Sequence, residues 1–458
     1  MKSLLVFVFL LTVAFGSAQE LADSRQREIV FRSVNVVPMD KERVIENQVV
    51  VVKNGKITAM GDAAKVKYSK EALIVDASGK YLLPGLAEMH AHVPPVDDIE
   101  PMKEVLLLFA LKGVTTIRGM LGHPKHLELR SKVQSGEILG PRFYTSGPSF
   151  SGQSVKSAAA ADSMVRQQKK AGYDFLKLHP GLTKETFGAM ARTAKELKIP
   201  YAGHVSFSVG VWTAIDAEYA TIDHLDGFIE GLVPGIDTMK EQQTGLFGMF
   251  VADRADTTQI PKLMAALKQH KIWVVPTQAL AERWFSPDRD PDVLAREPEM
   301  AYMNPNTVKN WTDSKKNLMR NASYSSSRMA DYIKLRRKLI YECNRNGIGL
   351  LLGSDAPQVF DVPGFSVHQE LQYMVDAGLS PYDALRTATV NVALFYNAKD
   401  RGTIRPGAIS DLVLLNGNPL TDIKQTGNIE GVMLGNLWLS KDYIERELKK
   451  LVKQNVIP

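Results

Sequence analysis

The sequence predicts an α/β protein: a closed parallel (β/α)8 barrel with a small β-rich domain assembled from both chain ends. Two observations lead there. Eight short apolar runs alternate with amphipathic helical stretches across residues 84–398. Short β-rich segments with turn punctuation flank that middle on both sides, at 28–83 and 402–438.

Taken in order, the chain opens with MKSLLVFVFLLTVAFGSAQE: one lysine, an apolar stretch from Leu4 to Phe15, then Gly16 and Ala18 before Gln19. This is the pattern of a secretory signal peptide over 1–18, too short and wrongly flanked for a spanning helix. It predicts an exported, soluble protein, periplasmic or secreted. No cysteine follows the apolar stretch, so no lipid anchor is expected there, and Cys343 is alone, which rules out an intrachain disulfide. Residues 19–83 then supply EIVFRSVNVV, NQVVVVKNG, KITAMG and ALIVDASGKYLL as the first part of the β-rich domain. Residues 399–458 return to it with GTIRPGAISDLVLLNGNPL and IEGVMLGNLWL, and end in a helical pattern, YIERELKKLVKQN.

Between them, the barrel strands are LAEMHAH (86–92), TTIRGM (115–120), RFYTSG (142–147), DFLKLH (174–179), PYAGH (200–204), TIDHL (221–225), IWVVPT (272–277) and IGLLLGSD (348–355). Stretches such as TKETFGAMARTAKEL and TQIPKLMAALKQH place apolar residues at three- and four-residue steps, as an amphipathic helix requires. Residues 226–256 and 278–324 are longer than ordinary connections and follow strands. Such insertions belong at the C-terminal rim of a barrel, where substrate loops are built.

Composition narrows the function. With 45% hydrophobic and 23% charged residues, the chain is an ordinary globular protein. Its 56 basic and 50 acidic residues nearly balance, and no basic or aromatic stripe tracks phosphates, so nucleic acid is not expected as a partner. No later segment is apolar enough to span a membrane. The partner implied is a small-molecule or dipeptide substrate; association into a homo-oligomer is left open.

The polar residues at strand ends carry the chemistry. His90 and His92 share one face of the first strand because side chains alternate. Lys177 lies at the fourth strand, His204 ends the fifth, His224 the sixth, and Asp355 the eighth. A barrel gathers these ends at one mouth, where imidazoles and a carboxylate suit zinc or a similar divalent ion. A lysine among metal ions can lose its proton and react with carbon dioxide, giving an anionic carbamate that bridges two metals. Each residue alone has an ordinary reading: a turn histidine, a snorkelling lysine, a helix-capping aspartate. A metal site requires all six to converge. His179, two positions after Lys177, could reach substrate or support a ligand. His123 and His126 read as exposed helical histidines, and His368 as a helix-start residue. Trp284, Phe285 and the stretch Met300–Met303 read equally as lid or core. Ser354 reads as a local hydrogen-bonding residue, and no substrate-binding residue is assigned.

The run PGLAEMHAH, FLKLH, AGHVS, IDHLDG and GSDAP resembles the amidohydrolase superfamily, closest to its imidazolonepropionase-related branch with Xaa-Pro and other dipeptidases. The resemblance covers nearly all of the chain after residue 18. It implies a distorted (β/α)8 TIM barrel plus a small β-sandwich formed by both chain ends. It implies a binuclear zinc site: His90, His92 and Asp355 on one metal, His204 and His224 on the other, and carboxylated Lys177 bridging. One position departs: many relatives read Thr-Thr-x-Arg-Asp after the second strand, whereas this chain has TTIRGM, with Gly119 in place of the acid.

The chemistry expected is hydrolysis of a C–N amide bond. A metal-bridging hydroxide would attack the carbonyl, and Asp355 would pass its proton to the leaving amine. Dipeptides, of Xaa-Pro or related type, or N-acyl amino acids are the expected substrates. The rivals are a cyclic amidase acting on an imidazolone, hydantoin or lactam, and a non-catalytic metal- or solute-binding protein.

Overall fold

A computed structural model describes residues 27–454. The signal peptide read at 1–18 lies outside the described residues. The described residues divide into two compact units: 27–86 with Ala110–Thr115 and Thr389–Leu451, and Ala87–Phe109 with Thr116–Ala388 and 452–454. Among the described residues no helix is long and apolar enough to cross a membrane.

The first unit is one eight-stranded sheet. Its strands are β1 (Ile29–Val36), β2 (Ile45–Lys53), β3 (Lys56–Asp62), β4 (Leu73–Asp76) and β5 (Tyr81–Pro84) from the early segment. The late segment adds β13 (Leu412–Leu415), β14 (Ile429–Leu434) and β15 (Leu437–Ser440), in the order β15-β14-β13-β5-β1-β2-β3, with β4 also on β1. Alternation sends Ile29 and Phe31 into one apolar cluster with Leu82, Leu412 and Met433, while Val30 turns to the other face with Val49 and Val51. Ser33 sits at φ 58° where the β1–β2 register shifts, a bulge that returns Val34 to the Phe31 side. Phe31 and Trp438 meet with ring centroids 5.1 Å apart, although three strands separate β1 from β15. A flat sheet would hold them far apart at about 4.8 Å per strand; this one curls around its core.

The second unit carries parallel strands. β6 (Leu86–Ala91), β7 (Val114–Gly119) and β8 (Arg142–Thr145) form one sheet, and β9 (Leu176–Leu178), β10 (Tyr201–Gly203), β11 (Thr221–Asp223) and β12 (Trp273–Val275) form another. All residues of β6, β9, β10 and β11 are buried, as parallel strands covered on both faces require. Isolated parallel bridges tie the segment after β8 to β9 (Ser146 to Phe175, Phe150 to Leu178) and β12 to Leu350.

The eighth strand expected at 348–355 is not a regular strand, and the cause is visible. It exchanges bonds with β12 (Val274 N to Gly349 O, Leu351 N to Val274 O) and with β6 (Met89 N to Leu352 O, Asp355 N to His90 O). Side chains interrupt the ladder between these bonds. Ser354 N donates to the Glu88 carboxylate, Leu352 N turns to Thr387 O, and the Met89 carbonyl accepts Arg118 Nε. The long insertions also differ in kind. Trp284, Met300 and Met303 pack with Leu294, Val308, Trp311 and Phe360 in a separate apolar cluster, so these residues are core.

Phe31 is fully buried. Phe31→Ala should lower stability to chemical denaturation by about 3–5 kcal/mol. Leu394→Ala, at an exposed side chain, should stay within about 0.5 kcal/mol of the parent.

Candidate metal centre

The parallel strands of the second unit end together and bring the sequence-selected residues into one cluster. His90 Nε2 and His92 Nε2 lie 3.2 and 2.9 Å from Asp355 Oδ1. These three residues form a group whose ligand atoms all fall within 4.8 Å of one another. Lys177 Nζ is 3.3 Å from His90 Nε2. The His224 ring lies 4.4 Å from that of His90 and 4.4 Å from that of His204, the latter pair stacked. All six residues are therefore neighbours.

The far side of three of the four imidazoles is held by a carboxylate or a hydroxyl. His90 Nδ1 pairs with Asp223 Oδ2 at 2.7 Å, His204 Nδ1 with Asp226 Oδ2 at 3.0 Å, and His224 Nδ1 with Thr277 Oγ1 at 2.9 Å. The two carboxylates accept from Nδ1–H, which leaves Nε2 of His90 and His204 as a lone-pair donor. Sequence reasoning missed these three partners. The available signal was TIDHLDG, where one acid stands on each side of His224. Asp223 is itself fully buried and also accepts from Arg118 Nη2 at 3.2 Å, while Arg118 Nε donates to Met89 O. Arg118 thus braces β6, β7 and β11 from beneath. Gly119 follows it because a Cβ there would come within 2.6 Å of the Phe143 ring, so an acid has no room.

Burial governs the charge state. Loss of solvent, reinforced by the Lys177 charge, pushes His204 down to about 3 and holds His90 well below the usual imidazole range. His224 is also held well below it, by burial and then by the neighbouring histidines. Lys177 is fully buried, and burial lowers it to about 8 against the opposing pull of Asp223 and Asp355. It is no snorkelling lysine, and its amine gives up a proton far more readily than a surface one. Gly203, at φ +120°, makes room for it: a Cβ there would lie 2.9 Å from Lys177 Cδ and 2.6 Å from Leu178 O.

These residues fit a divalent cation. His92 Nε2, His224 Nε2 and Asp355 Oδ1 are buried without a hydrogen-bond partner among the described residues. A buried polar atom left unpaired costs about 1–3 kcal/mol. Three such atoms in one cluster of neutral imidazoles and a carboxylate match the donor set of zinc and its neighbours.

The remaining candidates separate. His179 packs edge-on to His204 at 5.2 Å, and burial pushes it down to about 2. His126, read from sequence as exposed, is fully buried: the helix Lys125–Gln134 turns it inward, where Nε2 meets Pro94 O at 3.0 Å and the ring meets Phe143. His123 stays partly exposed in front of that helix, and His368 lies partly buried within the helix Phe365–Asp376. Ser354 Oγ donates to Glu88 Oε2 at 2.6 Å, the local role expected of it.

With this geometry in view, the chain can be placed among known proteins. The Amidohydrolase family model matches residues 81–437, and the chain belongs to that family. It is 31% identical to an enamidase from Eubacterium barkeri over 114 residues, which are 24% of this chain and 29% of that protein. The match thus spans less than a third of that curated relative. Bottromycin amidohydrolase has a similar fold, with a TM-score of 0.71 at 20% identity over 95% of this chain and 92% of that one. A Xaa-Pro dipeptidase with methionine bound in its active site aligns with a TM-score of 0.64 at 19% identity, over 90% and 100% of the two chains. At these identities the likeness is one of fold.

Asp223→Asn replaces one acceptor of the His90 Nδ1 proton with an amide and weakens the anchor of Arg118. Divalent-metal affinity, measured by competition with a chromogenic chelator, should fall about 10–100-fold.

Proposed function

We propose that the protein is a divalent-metal-dependent hydrolase that splits a C–N amide bond into an acid and an amine, acting on dipeptides of Xaa-Pro or related type or on N-acyl amino acids. The observation that carries this reading is the largely buried His90–His92–Asp355 group, in which only His92 is partly exposed, with ligand atoms left unpaired beside Lys177, His204 and His224. Family membership supports the reaction class, and the likeness of fold to a Xaa-Pro dipeptidase supports the choice of substrates to test. We also read β6–β12 and the segment 349–355 as a closed (β/α)8 barrel, and the β-rich sheet formed by the two ends of the chain as a small β-sandwich. The isolated bridges on either side of the two parallel sheets favour closure. Export through residues 1–18 belongs to the same proposal.

His90, His92 and Asp355 would hold one cation, His204 and His224 a second, and Lys177 would join them once its neutral amine adds to carbon dioxide and sheds a proton. When bound, such cations, zinc being the first to test, supply Lewis acidity and lower the pKa of water. The chain's own residues do the rest. Asp223, Asp226 and Thr277 fix the ring orientation of three histidines, so little reorganisation is needed during the reaction. Asp355 stands at the centre of the cluster, its Oδ1 beside His90 and His92 Nε2, and has a second carboxylate oxygen. There it can take the proton released by the attacking water and return it to the leaving nitrogen.

A chelator should abolish hydrolysis of the responsive substrate, and added zinc should restore it. Metal content should approach two ions per chain and drop in Lys177→Ala; an unchanged content would remove Lys177 from the site. Asp355→Asn should lower kcat by at least about 100-fold with little change in the circular dichroism spectrum. The panel is Xaa-Pro and other dipeptides, N-acyl amino acids and cyclic amides. No turnover of any of them by metal-loaded protein would instead favour a binding protein.

A further inference from the structure

A cavity of about 500 Å3 opens beside the second pair of histidines, within the size range of small-molecule sites. His204 lines both this cavity and the candidate metal centre, so whatever fills the cavity abuts the reacting groups. Phe247 forms part of the same wall. Its ring lies within 16° of the His224 plane at 4.9 Å and within 17° of the His204 plane at 5.9 Å. Its backbone is in the left-handed region at φ 55°, with Gly245 at +70° and Gly248 at +75° on either side. This strained GLFG turn holds one aromatic face in a fixed place.

The cavity has apolar walls, with Val205, Val211 and Trp212 among them, and Trp212 Nε1 is already spent on Gly231 O. Against these walls stands the Glu230 carboxyl group. Glu230 Oε2 is buried and has no hydrogen-bond partner among the described residues. The bare Gly248 makes room for it, since a Cβ there would lie 2.9 Å from that oxygen. Nearby charges are committed elsewhere. Asp226 accepts from His204 and from Val205 N, and Arg336 donates to Gln278 Oε1 and to the carbonyls of His224 and Pro276. Among the other charged lining residues, Asp237 and Glu241 oppose Lys184, and all three are exposed.

An apolar chamber with a fixed aromatic face and a half-buried carboxyl group in its lining complements an organic cation on an apolar stem. The stem replaces water on the walls, the cation meets the Phe247 ring, and its N–H completes Glu230. Burial and the nearby Asp226 push the Glu230 acid up to about 8, and a ligand cation beside it would draw it back to the carboxylate. We propose that this cavity is the specificity subsite of the enzyme and takes a substrate side chain ending in an ammonium or guanidinium, with Glu230 as the specificity-determining residue. The inference rests on the hydrolase reading above and deepens it.

The test uses metal-loaded full-length protein and matched amide substrates that differ only in lysine against norleucine, placed on either side of the scissile bond. At one position the lysine member should have a kcat/KM about tenfold or more above its norleucine partner. In Glu230→Gln that ratio should fall to within about threefold. A wild type that cleaves both equally, or a ratio unchanged in the variant, would overturn the subsite. A second measurement needs neither turnover nor a variant: hexylamine should bind wild-type protein about tenfold more tightly than 1-hexanol by calorimetry. Equal binding would overturn the proposal. Amine-selective binding without cleavage of any peptide would overturn the hydrolase reading alone and leave the cation site standing.

Discussion

Asp223 is a carboxylate with no access to solvent, and the architecture of the site depends on how its charge is met. It accepts hydrogen bonds from His90 Nδ1–H, the Arg118 guanidinium and the Thr221 hydroxyl. An isolated buried charge would cost many kcal/mol, whereas a fully hydrogen-bonded one fixes its partners in place. Through Arg118 the same node reaches the Met89 carbonyl, a ladder acceptor of β6. That diversion is one reason the segment after Gly349 never becomes a regular strand. The histidine cluster and an irregular strand thus share one electrostatic cause.

Dryness sets the chemistry of the cluster. His90, Lys177 and His224 have almost no solvent exposure. Water cannot stabilise their charged forms, so imidazoles stay neutral and the lysine amine is shifted toward neutrality. Neutral nitrogen lone pairs converging around unpaired carboxylate oxygen are unfavourable by themselves and favourable around a cation. Stability given up at these atoms becomes affinity for a divalent ion.

The stretch TIDHLDGFIEG concentrates both parts of the functional argument. Asp223 orients His90, His224 joins the cluster, Asp226 orients His204, and Glu230 faces the adjoining cavity. The insertion that continues it then lays Phe247 over two imidazoles. The candidate metal centre and the neighbouring cavity are therefore served by one continuous segment, and changes in its length or its glycines would alter both.

The alternation of strands and helices, the β-rich ends and the six clustered polar residues are legible in the chain before it folds. Each followed from local rules: period-two and period-3.6 patterning, turn residues, and the placement of ionisable groups beside apolar runs. Tertiary structure decided what those rules cannot reach. Asp223, Asp226 and Thr277 matter through partners 133, 22 and 53 positions away. His126 looked exposed because its helix is polar, but the direction in which that helix packs buries it. The strand expected at 348–355 has the right residues and loses its ladder to the side chains of Glu88 and Arg118. In each case the deciding term is a long-range hydrogen bond or a desolvation, and neither is written in the local spacing of residues.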